Sequence, residues 1–268
     1  MNQSVGQCLK ACPLPLLEAR ALLQWASGLA RETLIAHPER LLEAASVERF
    51  TQAARQRQSG VPLAYLVGVK EFYGRPFRVS PDVLIPRPET EQLIERALER
   101  IATHSQPRIL DLGTGSGCLA ISLALELPGA EVHAIDLSAP ALEMAHSNAQ
   151  ALGAQVAFTQ SHWFENVQGP FDLIVANPPY IEAADPHLPA LRFEPRSALT
   201  DNADGLSALR HIIQTAPRFL SPGGWLITEH GHDQGPAVQA LYTQAGFQAI
   251  QSHHDLAGLA RLCLGQRH

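Results

Sequence analysis

Four residues that directly follow an apolar run carry the clearest chemical signal in this sequence. The run FDLIVA, residues 171–176, is typical of a buried strand and is followed by Asn177, Pro178, Pro179 and Tyr180. The side-chain oxygen of Asn177 and the backbone carbonyl oxygen of Pro178 can each accept a hydrogen bond from one NH2 group. A residue before proline is held extended and each proline fixes its own φ, so the Pro178 carbonyl has a defined direction. The ring of Tyr180 offers a flat face to a planar amide or base.

A pair of acceptors around one NH2 group suits methyl transfer to nitrogen. The lone pair of an amide, or of the adenine amine, is delocalised into the adjacent π system, which makes that nitrogen a poor nucleophile. Two acceptors can pull the nitrogen toward a pyramidal shape and direct its lone pair at an electrophilic methyl group. Transfer from a sulfonium gives a cationic product that loses its proton afterwards, so no general base is needed beside the nitrogen. The motif therefore predicts catalysis by positioning and dipole alignment.

A glycine-rich turn follows an earlier strand-like run, RILDL at 108–112. The turn consists of Gly113, Thr114, Gly115, Ser116 and Gly117. Glycine lets the backbone turn tightly and approach a ligand without side-chain interference. Asp136 ends the next strand-like run, where a carboxylate can accept hydrogen bonds from both hydroxyls of a ribose. Ser138 can cap the following helix, which leaves Asp136 for a ligand.

Two cofactors fit this pattern, a nicotinamide dinucleotide and S-adenosylmethionine. Trp163 and Phe164 follow a third strand-like run and are candidates to flank an adenine ring, which either cofactor contains. The residues from Asn177 to Tyr180 favour S-adenosylmethionine, because holding an NH2 group has a use in methyl transfer and none in hydride transfer.

These residues need a sheet whose strands end at one edge. Beyond Pro107, short apolar strands alternate with helices, which predicts an α/β fold with a doubly wound, mostly parallel, seven-stranded sheet. Ligands bind such sheets at the carboxyl ends of the strands. The predicted strands are 108–112, 131–136, 155–159, 171–176, 223–230, 247–251 and 259–264. The predicted helices between them are 119–126, 140–152, 206–220 and 234–246.

The part before the sheet has a different pattern. Apolar residues recur at helical spacing over 14–30 and 38–58, which predicts a small helical domain over residues 1–60. Residues 61–85 are rich in β-branched and aromatic residues with glycine turns, which predicts a β-hairpin linker. The third predicted domain, residues 86–268, contains the sheet and opens with a helix at 89–102 behind Pro86 and Pro88.

Composition limits the classes of function. The 268 residues are 46% hydrophobic and 17% charged, with a net charge of −6. Residues 1–80 hold ten Lys or Arg against six Asp or Glu, whereas residues 81–268 hold ten against twenty. We expect no stable nucleic-acid binding, because phosphate neutralisation needs clustered basic residues. The basic front end is the candidate surface for an acidic partner.

Other features point to an ordinary intracellular chain. No apolar run reaches the roughly 20 residues that cross a bilayer, and the N-terminus lacks the order of a signal peptide. We expect a cytoplasmic monomer without membrane contact. The four cysteines are too sparse for a disulfide framework and are expected as free thiols. No Cys or carboxylate pattern completes a metal site around the histidines, so no metal is predicted. The histidines in question are His230, His232, His253 and His254.

The sequence resembles the PrmC or HemK family, the glutamine N5-methyltransferases of peptide-chain release factors, over nearly its whole length. Asn-Pro-Pro-Tyr alone is shared with adenine methyltransferases that act on DNA and RNA. LIPRPETE joined to NPPYI behind a helical front domain is far more discriminating. The motifs that carry the resemblance are EARALL at 18–23, PLAYLVGVKEFYGR at 62–75, LIPRPETE at 84–91, DLGTGSG at 111–117, Asp136, NPPYI at 177–181, FEPRSAL at 193–199 and DGL at 204–206.

The resemblance implies roles for these residues. S-adenosylmethionine, which leaves as S-adenosylhomocysteine, would lie across residues 113–117, with Asp136 on the ribose and Trp163 near the adenine. Asn177, Pro178, Pro179 and Tyr180 would hold the glutamine amide of a release factor's Gly-Gly-Gln loop. Three more residues would form the rim of the substrate pocket, namely Arg87, Glu89 and Glu194. The helical front domain would bind the release factor.

The sequence also departs from the family pattern. His162 stands where the family commonly has an acid before the aromatic residue, which puts adenine contact there in doubt. Gln56, Gln58 and Val61 stand where the family often has paired arginines and an acid, which puts partner affinity in doubt. Two other functions stay open: an N6-adenine methyltransferase on RNA or DNA, and a catalytically silent module that binds the cofactor and chaperones a partner.

Overall fold

The computed structural model describes residues 3–268. The chain forms two compact units, one that ends at Val69 and one from Lys70 to His268. Each unit has its own hydrophobic core. No helix within residues 3–268 combines the length and the apolar character needed to span a bilayer.

The first unit is helical, as predicted, but its helices are shorter and more numerous than the pattern indicated. Its core contains Leu22, Leu23 and Phe50, which are buried on the inner faces of two helices. Gly28 ends the second helix in the left-handed conformation, at φ 69°. Within residues 3–69 the helices are α1 (Val5–Ala11), α2 (Leu16–Ser27), α3 (Arg31–Ala36), α4 (Ala44–Gln58) and α5 (Leu63–Val67).

Two expectations about this unit are wrong in detail. The helix expected from residue 38 begins at Ala44, because Leu41 instead forms an isolated bridge with Ser4. The first part of the expected hairpin segment is the helix α5, which ends at Gly68 with φ 77°. Periodicity did not separate a five-residue helix from a strand here, because both can present a short apolar run.

A two-stranded antiparallel hairpin follows, as expected from the glycine punctuation. Its strands are β1 (Val69–Phe72) and β2 (Arg75–Arg78). Tyr73 and Gly74 both have positive φ, at 50° and 72°, which is the backbone that a two-residue hairpin turn requires. Phe72 and Phe77 pack edge to face with ring centroids 6.0 Å apart, and both are buried.

The second unit is the predicted doubly wound sheet. Besides the hairpin, residues 70–268 form one sheet of seven strands in the order β5-β4-β3-β6-β7-β9-β8. All neighbours pair in parallel except β9, which is antiparallel to both β7 and β8. The strands are β3 (Arg108–Leu112), β4 (Glu131–Asp136), β5 (Ala157–Gln160), β6 (Phe171–Ala176), β7 (Leu220–Glu229), β8 (Gln248–His254) and β9 (Ala260–Gln266).

Helices cover both faces of this sheet. The central strand β6 alternates its side chains between two core clusters, with Leu173 and Val175 in one and Ile174 in the other. Both faces of the strand are therefore buried, which explains the continuous apolar run in the sequence. The helices are α6 (Glu91–Ile101), α7 (Cys118–Glu126), α8 (Ala139–Leu152), α9 (Arg196–Leu199), α10 (Ser207–Thr215) and α11 (Gly235–Gln244).

Element boundaries differ from the expected ones where proline or glycine lies nearby. The helix expected to run to residue 220 ends at Thr215, and a 3-10 turn over Ala216–Arg218 follows, with Pro217 inside it. The strand β7 begins three residues before the expected start. The four cysteines are free, as expected.

The chain reverses direction across the sheet between β3 and β6. From β3 it runs outward through β4 to β5, then returns to β6 on the other side of β3. In a doubly wound sheet this reversal opens a crevice beyond the carboxyl ends of the two strands. The two motifs with chemical potential follow these two strands.

Candidate active site

Strand register brings the predicted site residues together. Leu112 of β3 lies opposite both Ile135 of β4 and Ala176 of β6. The residues that follow these three positions are Gly113, Asp136 and Asn177. Residues 23 and 64 positions away from Gly113 in the chain therefore meet it at one edge of the sheet.

A cavity of about 640 Å³ lies at this edge. Its lining includes Gly113, Gly115, Asp136, Trp163, Asn177, Pro178 and Pro179 among the predicted residues, together with Ser161, His162, Thr200, Ser207 and His211 from the surrounding loops. The volume is in the range of small-molecule and cofactor sites. The glycine turn and the Asn-Pro-Pro segment thus contribute to one wall of one cavity.

The glycine turn needs its glycines for two reasons. Gly113, Gly115 and Gly117 have φ of 74°, 56° and 82°, which side chains rarely adopt. A Cβ on Gly115 would have no neighbour within 4 Å, so the space beside this glycine is open. A Cβ on Gly117 would lie 2.7 Å from Ile121 Cδ1 and 3.1 Å from Ala145 Cβ. Gly117 therefore permits helix packing, while Gly115 keeps room for a ligand.

Asp136 is held by the backbone on either side of it. Its Oδ2 accepts from the Gly115 amide at 2.9 Å, and its Oδ1 accepts from the Ser138 amide at 2.9 Å. Ser138 caps α8 through its side chain, as predicted. Burial raises the pKa of Asp136, and hydrogen bonds from the backbone amides of Ser138, Gly115 and Leu137 counteract that rise. The two oxygens have four acceptor positions, so the carboxylate keeps one for a ligand.

Of the two aromatic residues after β5, one lines the cavity and the other lies in the core. Trp163 lines the cavity, and its ring lies 3.6 Å from where a Gly113 Cβ would be. Phe164 is buried and stacks on Phe219 with centroids 4.7 Å apart, so the expectation that it flanks a ligand is wrong. His162 lies on the cavity wall and is paired with Glu165 at 3.1 Å.

The two acceptors of the Asn-Pro-Pro motif have no donor of their own. Within residues 3–268, no hydrogen bond reaches Asn177 Oδ1 or the carbonyl oxygen of Pro178. The Asn177 amide nitrogen is engaged, since it donates to Thr90 Oγ1 at 3.2 Å. Both oxygens belong to residues on the cavity wall, so an NH2 group there has two acceptors available.

Tyr180 does not line the cavity. Its side chain is half-buried and packs against the core, and its hydroxyl donates to Glu229 Oε1 at 3.1 Å. Burial raises the pKa of Tyr180, and the nearby Glu229 carboxylate raises it further. The phenol therefore keeps its proton at neutral pH and acts as a donor.

The three predicted rim residues lie outside the cavity wall. Glu194 is buried and accepts from Arg87 at 2.5 Å and from the Ile85 amide at 3.1 Å. Glu89 is exposed in the 3-10 turn Pro88–Thr90. Arg87 and Glu194 thus tie the loop before α6 to the loop before α9. A role for any of the three in substrate binding stays a prediction.

Three buried residues near the site were missed at the sequence level. Asp111, inside β3, is fully buried; its Oδ2 accepts from Thr114 Oγ1 at 2.7 Å, and its Oδ1 has no partner within residues 3–268. Burial raises the pKa of Asp111 to about 7. The other two buried residues are Thr90 and Glu229. An acid within an apolar strand was the available signal for both carboxylates, whereas Thr90 had none.

The histidines do not cluster. His230 is buried and its Nδ1 lies 2.8 Å from the Gly231 carbonyl, whereas His232 and His254 are exposed. Within the described chain, no group of three or more His, Cys, Asp or Glu side chains is arranged to hold a metal ion.

Comparisons with known proteins address the class of this site. A family model for the methyltransferase small domain matches residues 90–192, and one for the PrmC N-terminal domain matches residues 3–68. A solved methyltransferase from Pyrococcus furiosus shares the fold with a TM-score of 0.56 at 15% identity, covering 79% of this chain and 98% of that one. Fold and site together define a methyltransferase.

Two curated relatives narrow the class. A release factor glutamine methyltransferase of Neisseria gonorrhoeae is 48% identical over 258 residues, which is 94% of each chain. One of Bordetella pertussis is 50% identical over 256 residues, which is 94% of this chain and 95% of its own. This chain belongs to the release factor glutamine methyltransferase family, and the resemblance drawn from the motifs is confirmed.

Proposed function

We propose that this protein transfers a methyl group from S-adenosylmethionine to the side-chain amide nitrogen, N5, of the glutamine in the Gly-Gly-Gln motif of peptide-chain release factors. The observation that carries the proposal is the pair of free acceptors, Asn177 Oδ1 and the Pro178 carbonyl, on the wall of the cavity that also contains the glycine turn. Family membership supports the same reaction.

The residues present suit the proposed cofactor. When bound, S-adenosylmethionine supplies a methyl group on a positively charged sulfur. Asp136 has acceptor capacity left for a ribose, and Trp163 offers a flat surface for a base. Gly113 to Gly117 would hold the ligand through the open space at Gly115.

The amide is activated by position. Asn177 Oδ1 and the Pro178 oxygen would each accept one N–H of the glutamine NH2 group, which turns the nitrogen lone pair out of conjugation with the carbonyl. Pro179 holds Pro178 extended, so the carbonyl direction is set before substrate arrives. Held in this way, the nitrogen would accept the methyl group that bound S-adenosylmethionine supplies, with S-adenosylhomocysteine as the leaving group, and the proton lost from the nitrogen would pass to water. The two preorganised acceptors would contribute to the rate enhancement by holding the amide where charge develops.

The remaining roles are part of the proposal. Pro179 and Tyr180 would shape the amide site, and Arg87, Glu89 and Glu194 its approach. The helical unit up to Val69 would bind the release factor. Residues 1–69 hold seven Lys or Arg against five Asp or Glu, a small basic excess that suits an acidic partner surface. We place the reaction in the cytoplasm, with a monomeric enzyme and no metal.

Mass spectrometry of a labelled product tests the proposal directly. Purified enzyme is incubated with methyl-labelled S-adenosylmethionine and either a release factor or bulk RNA. We expect the label on the glutamine side chain of the Gly-Gly-Gln motif and a release factor with Gln→Ala there to stay unlabelled. Label on adenine N6 in RNA would instead support the adenine methyltransferase reading, and no label on either would contradict both.

A further inference from the structure

A buried hydrogen-bonded chain links the Asn-Pro-Pro-Tyr motif to two other elements of the sheet unit. The Asn177 amide nitrogen donates to Thr90 Oγ1 at 3.2 Å, and Thr90 Oγ1 donates to Glu229 Oε2 at 2.7 Å. Tyr180 donates to the other oxygen of Glu229 at 3.1 Å. Thr90 stands at the start of α6 and Glu229 at the end of β7, and they are 3% and 1% exposed. Three segments far apart in sequence thus share one polar network.

The direction of these bonds is set by chemistry at Glu229. Burial raises the pKa of Glu229, and the Thr90 and Tyr180 hydroxyls and the charge of Arg261 oppose that rise. In its ionised form the carboxylate only accepts hydrogen bonds, so both hydroxyls that reach it donate. Thr90 has one hydroxyl hydrogen, and once that hydrogen points at Glu229 its oxygen can only accept from Asn177. The nitrogen end of the Asn177 amide must then face Thr90. The oxygen end is left facing away from it, where no donor within residues 3–268 reaches it.

We propose that Thr90 and Glu229 are positioning residues that fix the flip of the Asn177 side-chain amide, so that its oxygen and not its nitrogen is presented to the substrate. This inference rests on the proposed function and goes one step further, since it explains how the site selects an amide. An amide oxygen accepts from the NH2 group of glutamine. The same oxygen repels the carboxylate of glutamate, which offers only acceptors. The wrong flip would reverse that preference.

The two ends of an asparagine amide have nearly the same shape, so packing cannot choose between them. Only hydrogen-bond partners distinguish oxygen from nitrogen. The structure provides one such partner, Thr90, and it is itself oriented by a charge that is almost completely buried. A buried network with satisfied members is rigid and specific. The flip is therefore set before substrate binds.

The test compares Thr90→Val with Thr90→Ser. Valine keeps the shape of threonine and removes the hydroxyl, whereas serine keeps the hydroxyl and removes the methyl group. Each variant and the wild type are given two short peptides, one with Gly-Gly-Gln and one with Gly-Gly-Glu in its place. Turnover of the first peptide is measured, together with the affinity for each and for S-adenosylmethionine. Rates are normalised to folded enzyme by cofactor titration.

We expect Thr90→Val to lose about 10- to 100-fold in kcat on the glutamine peptide. Its affinity for S-adenosylmethionine should stay within about twofold of wild type, because Thr90 does not line the cavity. Its preference for the glutamine over the glutamate peptide should shrink by about tenfold, since the Asn177 side-chain amide can then rotate by a half turn and present its nitrogen. Thr90→Ser should restore both quantities. A purely structural role would lower the folded fraction without changing the preference between the two peptides.

Some results would overturn the inference. An unchanged preference between the peptides in Thr90→Val would do so, as would a Thr90→Ser variant as impaired as the valine one. Should Thr90→Val fail to fold, Thr90→Ala removes the same hydroxyl without adding bulk and carries the same expectation. A wild-type enzyme that methylates no glutamine in a whole release factor would remove the proposed function and this inference with it. The wild-type measurement alone shows whether the proposed function fails, whereas the Thr90 variants show whether only the positioning role fails.

Discussion

At the scale of single residues, the proposed function separates cofactor binding from methyl transfer. Asn177, directly after β6, would offer an acceptor to the substrate amide, whereas Asp136 ends β4, two strands away in the sheet, and accepts from the Gly115 amide. The two residues line one cavity but come from the ends of different strands, β4 and β6. Substitutions at the two positions should therefore affect different kinetic quantities.

Asn177→Ala should preserve cofactor binding and lose most methyl transfer. Removing one of two acceptors leaves the amide nitrogen conjugated and poorly aimed, which we expect to lower kcat by about 100-fold or more. Asp136→Ala should instead weaken the equilibrium affinity for S-adenosylmethionine. Calorimetric titration and single-turnover rates measured on both variants check the contrast. Wild-type turnover in Asn177→Ala would contradict the role proposed for its oxygen.

Asp111 makes stability depend on pH. Its pKa is raised by burial from 3.8 to about 7 in the folded chain, with the nearby Asp136 charge adding to the rise and the Thr114 and Ala120 donors opposing it. Between those two values the unfolded chain has released a proton that the folded chain retains. The free energy of unfolding of the wild type therefore falls as pH rises through this window, on the order of 1 kcal/mol per pH unit from this group.

Asp111→Asn should lack that contribution. Urea unfolding of both proteins at several pH values between 4 and 8 measures it. The stability of the variant minus that of the wild type should increase with pH from about 4 and level off above about 7. Other carboxyls titrate in both proteins and cancel in the difference. A difference that stays flat across the window would show that Asp111 is not protonated in the folded protein.

Residue types alone revealed part of the site. The roles of the amide, the prolines and the glycines could be predicted because their chemistry or backbone geometry depends on neighbouring residues in the sequence. The Thr90 to Glu229 bond was not, since it joins residues 139 positions apart and neither segment indicates the other as its partner. Phe164 was misplaced for the related reason that the sequence does not tell which of two adjacent aromatics turns toward a cavity.

At the scale of elements, the turn between β3 and α7 combines two demands. Gly115 and Gly117 both have positive φ, but only Gly117 has neighbours where a Cβ would lie. The main-chain strain of replacing either glycine with alanine is similar, on the order of 1 kcal/mol. The two positions therefore form a matched pair: the backbone strain of an alanine is similar at both, and only the side-chain neighbours differ.

Gly117→Ala should destabilise the protein, and Gly115→Ala should mainly weaken cofactor binding. At position 117 the added methyl meets Ile121 and the backbone of Ala145, which brings the total to about 2 kcal/mol or more. At position 115 it enters the open space that a ligand would use. Thermal unfolding and cofactor titration of both variants check this. Equal melting temperatures for the two would contradict the packing role of Gly117.

Element order was predictable and element ends were less so. The alternation of strands and helices indicated the sheet because its inner strands, such as β3 and β6, are buried on both faces and read as continuous apolar runs. The short helices α1, α3 and α5 were missed, since five to seven residues hold too few turns for a period to show. The predicted helix extended past the end of α10, because the residues around Pro217 continue as a 3-10 turn.

At the scale of the whole molecule, cofactor chemistry and the helical unit are separate in sequence. Every residue that lines the cavity lies between Asp82 and His211. The unit up to Val69 has a core of its own, and the sheet unit has two clusters of its own. The boundary falls at Val69, at the start of the hairpin, close to the end of the matched PrmC N-terminal domain at residue 68.

A fragment of residues 69–268 should therefore fold and bind S-adenosylmethionine with an affinity within about twofold of the intact chain, because the cavity wall is unchanged. It should methylate a short Gly-Gly-Gln peptide at the intact chain's rate. On a whole release factor its kcat/KM should fall about tenfold or more, since the contacts proposed for the helical unit are lost. Circular dichroism and thermal unfolding first establish that the fragment is folded. Equal kcat/KM of fragment and intact chain on the whole release factor would show that the helical unit does not bind it, while leaving the chemistry at Asn177 unaffected.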